Sequence, residues 1–127
     1  MIRLIITRHG KTKENEDGII QGYHHGNINE AGFIQISKLV NRLQKEKIDL
    51  IISSDVLRCY LTTKEITKKV KAPVFYSELI REKNNGDLVG KNRKEIDWDS
   101  LPGDFETRKA PNGENLIEVR GRGREFF

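Results

Sequence analysis

The sequence predicts an α/β domain with a parallel sheet and right-handed crossovers. Three observations lead there. Short apolar runs of strand length occur at 2–7, 48–52 and 73–77. Helical stripes fill the intervals at 29–43 and 56–70. The two kinds of segment alternate strand–helix–strand–helix–strand, which is the pattern of a sheet covered by its own crossover helices. A chain of 127 residues suits one domain and is too short for two ordinary ones, so 1–127 is read as a single unit.

Ile2 to Thr7 is a nearly continuous run of β-formers, expected as a strand buried on both faces. Arg8 to Glu30 is rich in glycine, asparagine and charge and has no period; it reads as a long loop, and loops of that length are often functional. Asn29 then precedes a helical pattern that places Phe33, Ile36, Leu39, Val40 and Leu43 on one face. Asn29 suits the N-cap and Glu30 the first turn. Ile48 to Ile52 forms a second strand, ending at Ser53-Ser54-Asp55.

A second helix is expected from Val56 to Val70, with Val56, Cys59, Thr63, Ile66 and Val70 on one stripe. Cys59 therefore reads as packed core, not as a reactive thiol. Pro73 to Ser77 gives a third strand. Residues 78–113 carry turn signals at Asn84-Asn85-Gly86, Pro102-Gly103 and Pro111-Asn112-Gly113, with one helical turn near Arg93 to Trp98. Glu114 to Phe127 predicts a last helix with Leu116, Val119, Gly123 and Phe126 along one face. Gly121 and Gly123 would each cost it about 1 kcal/mol relative to alanine.

Hydrophobic residues make up 35% of the chain and charged residues 33%. The apolar residues fall in periodic runs, which excludes a disordered chain. No apolar stretch approaches the length that spans a bilayer, and the opening run lacks a signal-peptide cleavage pattern. One cysteine excludes a disulfide framework and a cysteine-based zinc site. A cytoplasmic domain without a membrane partner is expected. The net charge of +4 is compatible with an anionic substrate. The basic tail Arg120-Gly-Arg-Gly-Arg124 has no interleaved aromatics to stack on bases, and Phe126 and Phe127 are assigned to the core, so no nucleic-acid partner is expected.

Arg8-His9-Gly10 directly follows the first strand, and ligands in an open parallel sheet bind at the carboxyl ends of strands. A histidine there can be a general base, a metal ligand or a nucleophile. Arg8 beside it favours an anionic group, and Gly10 would let the backbone approach a ligand closely. Arg58 falls in the first turn of the second helix, where the helix dipole also favours an anion. Two guanidinium groups converging there make a phosphate-shaped environment; taken alone, Arg58 reads better as a surface or salt-bridged arginine. Glu82 follows the third strand. Its carboxyl can donate a proton to a leaving alkoxide or form an ordinary ion pair with Arg81 or a lysine.

In combination these residues resemble the histidine phosphatase superfamily, the phosphoglycerate-mutase-like proteins. The matching segments are Thr7-Arg8-His9-Gly10-Lys11-Thr12 with Asn15, Gln21-Gly22, Asn29-Glu30-Ala31-Gly32, Ser53 to Cys59 with Thr62 or Thr63, Leu79 to Lys91, and Pro111 to Asn115. The resemblance implies a three-layer α/β/α fold with a mainly parallel sheet. It implies that His9 attacks phosphorus to form a phosphohistidine, which water then hydrolyses. Arg8 and Arg58 would hold the phosphoryl oxygens, with Asn15, Gln21 and Gly22 completing the phosphate site. Glu82 would protonate the leaving oxygen. No metal or cofactor is implied, and the substrate would be a small phosphorylated metabolite.

Three departures from the family pattern stand out. Asn85 replaces an aromatic and Leu88-Val89 replaces Trp-Glu; both changes lie in the loop that carries Glu82. Lys11 stands where glutamate is common, on the pocket rim. The family also continues into a further central strand that ends in a second histidine motif. The chain is thus expected to be incomplete at its C-terminus, from a shifted reading frame, a fragment or proteolysis. His24 and His25 in the early loop are not taken as substitutes for that histidine. A chain without the strand is expected to pair its open edge with a second copy, as a homodimer, or to rearrange its sheet. The short 83–113 segment favours a small phosphatase over a mutase-type phosphotransferase. A catalytically impaired phosphate-binding domain is the alternative.

Overall fold

The computed structural model describes residues 1–24 and 26–127; His25 lies outside the described residues. The sheet is a short parallel pair. Strand β1 (Ile51–Ser54) pairs with β2 (Val74–Ser77), Ile51 opposite Val74 and Ser54 opposite Ser77. Helix α3 (Leu57–Thr67) makes the crossover between them. A parallel pair needs such a crossover, and the segment between the two apolar runs supplies it. The α/β class with a parallel sheet is therefore as the sequence predicts.

Helix α2 (Glu30–Leu43) starts where expected, with the Asn29 side chain accepting from the Gly32 N–H as N-cap. It packs against α3 over Ile28, Ile36, Val40, Leu43, Ile66 and Val70. The buried stripe of α2 runs through Gly32, Ile36, Val40 and Leu43. Phe33, expected on that face, is 48% exposed, because one residue's rotation from Gly32 carries it off the stripe. Glycine at 32 serves close approach instead: a Cβ there would stand 2.2 Å from the Lys11 carbonyl oxygen.

The run 2–7 departs from expectation. It forms no ladder with any described residue, and Ile2, Leu4 and Ile6 are 87%, 66% and 89% exposed. An apolar run proposes a strand, but only a hydrogen-bonded neighbour makes one. β1 is paired with β2, and no described strand pairs with 2–7. The expected doubly buried strand is absent for that reason.

The long loop 8–30 holds a short helix, α1 (Lys13–Asp17). Thr12 and Asn15 form a reciprocal capping box at its start, and Gly18 closes it at φ 72°. Residues 78–113 fold as short 3-10 turns at Glu78–Ile80, Gly86–Leu88, Arg93–Glu95 and Trp98–Ser100. A second cluster of Ile20, Leu88 and Ala110 holds these turns, with Trp98 and Leu101 packed on it. Helix α4 (Leu116–Phe126) is capped by Asn115 and Glu118. Its predicted stripe is half-buried, but Phe127 is 91% exposed and not core; its ring meets Phe126 edge to face. No described helix is long and apolar enough to cross a membrane.

Candidate active site

His9 lies just past the exposed run, and the residues after it hold it. The Gly10 N–H donates to Thr62 Oγ1 at 3.0 Å, and that hydroxyl donates to the Arg58 carbonyl at 2.8 Å. Gly10 itself packs under α2, where a Cβ would stand 2.7 Å from Ile36 Cδ1. The expected use of this glycine, close approach to a ligand, gives way to close approach of a helix.

The ring of His9 is half-buried, with Nδ1 2.7 Å from the Gly10 carbonyl oxygen. A carbonyl only accepts, so Nδ1 carries a proton, and in the neutral ring Nε2 keeps its lone pair. Burial pushes the His9 pKa below its ordinary value, and the nearby Arg58 and Arg8 charges act the same way. The Gly10 hydrogen bond and the Glu82 charge oppose this without reversing it. The imidazole is therefore neutral at pH 7, the form a nucleophile needs.

A cavity of about 700 Å³ opens in front of the ring, lined by Arg8, His9, Asn15, Gln21 and Glu82. That volume suits a metabolite-sized ligand. Asn15 Oδ1 accepts from the Thr12 N–H at 3.1 Å, and Gln21 Oε1 accepts from Thr12 Oγ1 at 2.8 Å. Both amides thus have an engaged oxygen, which leaves their NH₂ groups to donate. Lys11 stands on the wall, as the sequence suggests for the rim; Arg93, in a turn with no strong sequence signal, stands there too. His24 is exposed and does not line the cavity.

Arg58 and Gly22 lie behind that wall. Arg58 is 1% exposed; its Nη1 donates to the Gly22 carbonyl at 2.8 Å and its Nη2 to Glu82 Oε2 at 2.9 Å. Its Nε has no hydrogen-bond partner among the described residues. The Glu82 side chain is 58% exposed on the cavity side of this pair. Glu82 therefore pairs with Arg58. Arg81 is engaged elsewhere, forking onto Asp55 with Nε 2.6 Å from Oδ1 and resting over the Tyr23 ring at 4.4 Å. The Arg81 hydrogen bonds hold the Asp55 carboxyl below its ordinary pKa, and Arg81 is raised in return. Cys59 is half-buried and burial pushes its thiol up, in keeping with an inert side chain.

The family model of the histidine phosphatase superfamily (branch 1) matches residues 4–127. The chain belongs to the histidine phosphatase superfamily. Phosphoserine phosphatase 1 of Hydrogenobacter thermophilus is 32% identical over 134 residues, covering 100% of this chain and 63% of that protein. The broad-specificity phosphatase YOR283W of Saccharomyces cerevisiae is 38% identical over 95 residues, covering 71% of this chain and 41% of its own length. Among solved structures, a mycobacterial glucosyl-3-phosphoglycerate phosphatase in complex with VO3 superposes with a TM-score of 0.80 at 29% identity. That match covers 93% of this chain and 59% of the other. The chain thus spans between 39% and 66% of the length of the curated relatives it matches. All the residues that face the cavity lie within the family match.

Proposed function

We propose that the chain hydrolyses a small phosphate monoester through a phosphohistidine on His9. The observation that carries this reading is the half-buried His9 ring, its Nδ1 tied to the Gly10 carbonyl, on a cavity shared with Arg8 and Glu82. Nε2 attacks phosphorus as the ester P–O bond breaks, and the leaving alkoxide takes a proton from the Glu82 carboxyl. Water then attacks phosphorus with Glu82 as base, the N–P bond breaks, and inorganic phosphate leaves. Arg8, with Asn15 and Gln21 as neutral donors, holds the phosphoryl oxygens from the cavity wall. Arg58 adds positive charge from below while fixing Glu82. The substrate is a small phosphorylated metabolite, as the names of the relatives suggest, and the setting is the cytoplasm. Two copies pairing through residues 2–7 belong to the same reading; the exposed Ile2, Leu4 and Ile6 support it, and the sedimentation mass tests it.

The first test is metal-free hydrolysis of p-nitrophenyl phosphate by the chain and by His9→Ala. The substitution is expected to lower kcat by about a thousandfold or more, as loss of a nucleophile does. Equal rates for the two proteins would exclude His9 as nucleophile. Because the His9 pKa is lowered, the acid limb of kcat/KM should fall below the ordinary imidazole value of about 6.5. The same shift makes protonation favour the unfolded chain, so His9 contributes stability above that value that is lost as the pH falls.

A further inference from the structure

The loop that carries Glu82 has no regular secondary structure between Arg81 and Asn85, yet it is bound on both sides of the carboxylate. Arg122 reaches from α4, 43 positions along the chain, and donates from Nη1 to the Leu79 carbonyl at 2.8 Å. Its Nη2 donates to the Arg81 carbonyl at 3.1 Å, directly before Glu82. The same guanidinium forks onto Glu114, with Nε 2.6 Å from Oε1 and Nη2 2.9 Å from Oε2. Glu114 Oε2 in turn accepts the Asn84 N–H at 2.8 Å, and the Glu114 N–H donates to the Asn84 carbonyl at 2.8 Å. Glu82 thus sits between two backbone segments tied to one ion pair.

We infer that Arg122 and Glu114 are positioning residues that set Glu82 for proton transfer, acting through the backbone on either side of it. The inference rests on the proposed acid role of Glu82. The two groups are tuned to each other: burial pushes the Glu114 carboxyl up, but its hydrogen bonds from Arg122 and Asn84 outweigh that and hold it below its ordinary range. Arg122 is raised by the same contact. A forked guanidinium that serves a carboxylate and two carbonyls at once has no equivalent in lysine, whose ammonium cannot span them. This gives the basic tail a specific use: the middle arginine of Arg120-Gly-Arg-Gly-Arg124 is an anchor for the site. Glycines on both sides of it leave open space, with nothing within 4 Å of a Cβ at 121 or 123.

A positioning role has a signature that simple destabilisation lacks. A leaving group that departs without a proton, such as p-nitrophenolate, does not need Glu82 as acid; an alkoxide does. Arg122→Gln, Arg122→Lys and the control Gly123→Ala are compared on p-nitrophenyl phosphate and on propyl phosphate, with hydrogen exchange followed at the Asn84 amide. Arg122→Gln should lower kcat/KM for propyl phosphate about tenfold or more, within the range of general acid catalysis, while kcat/KM for p-nitrophenyl phosphate changes less than about twofold, because that ratio covers P–O cleavage and not the later, shared step in which Glu82 is the base. Arg122→Lys should fall between Gln and the parent, and Gly123→Ala should match the parent. Exchange at Asn84 should quicken in both Arg122 variants. Equal losses on the two esters, or no loss on either, overturn the inference. A parent chain inert to both esters refutes the hydrolase reading instead. In that case exchange still decides the clamp: an unchanged Asn84 amide in Arg122→Lys overturns it, and a faster one upholds it.

Discussion

Residues 2–7, which lead to His9, leave Ile2, Leu4 and Ile6 in solvent with no ladder partner among the described residues, whereas residues 79–84, which carry Glu82, have no apolar run and are tied down by Arg122 and Glu114. The first segment has the composition of a strand and lacks the neighbour that would make it one. The second has the composition of a loop and is fixed by forked, charge-assisted hydrogen bonds. Order at this site thus follows from who pairs with the backbone, and local composition is a poor guide to it. His9 depends on the residues after it, through Gly10, Thr62 and α2, rather than on the run before it.

That contrast can be broken by stability measurements in urea. The largest effect is expected at Ile36, which is buried in the core and caps Gly10: Ile36→Ala should cost about 2–5 kcal/mol. Thr62→Val keeps the shape but removes the hydroxyl that Gly10 donates to, leaving a buried N–H unpaired, and should cost about 1–3 kcal/mol. The smallest effect is expected in the run itself, where Ile6→Thr, measured at a concentration at which the chain is monomeric, should change stability by no more than about 0.5 kcal/mol. A cost at Ile6 that matched the cost at Ile36 would show residues 2–7 to be structurally supported and would break the comparison.

The sequence made the helices and the parallel pair legible because their signals are local. Asn29 caps where a cap was expected, the α2 and α3 stripes bury Ile36, Val40 and Ile66, and the apolar runs at 51–54 and 74–77 pair as strands, while the last helix starts at Leu116 behind an Asn115 cap rather than at Glu114. Helix α1 was missed because five residues carry too little period, although Thr12, Asn15 and Gly18 spell its two ends. Arg8, His9 and Glu82 were legible from their order at the ends of successive expected strands, whereas Asn15 and Gln21 came only with the family resemblance. The placement of Gly22 and Arg58 behind the wall was not, because it depends on a contact made 36 positions apart. Arg122 was hidden for the same reason: its partners lie in the segment with the weakest pattern, and a glycine-flanked arginine reads as tail.

The most direct test of the account is to trap the phosphorylated protein. The chain is mixed with radiolabelled acetyl phosphate, quenched in alkali, and counted beside His9→Ala. A phosphohistidine on His9 gives protein-bound label that survives alkali, is lost in mild acid as an N–P bond requires, and is absent from His9→Ala. Label that persists in His9→Ala, or that resists acid as a phosphate ester does, would contradict it.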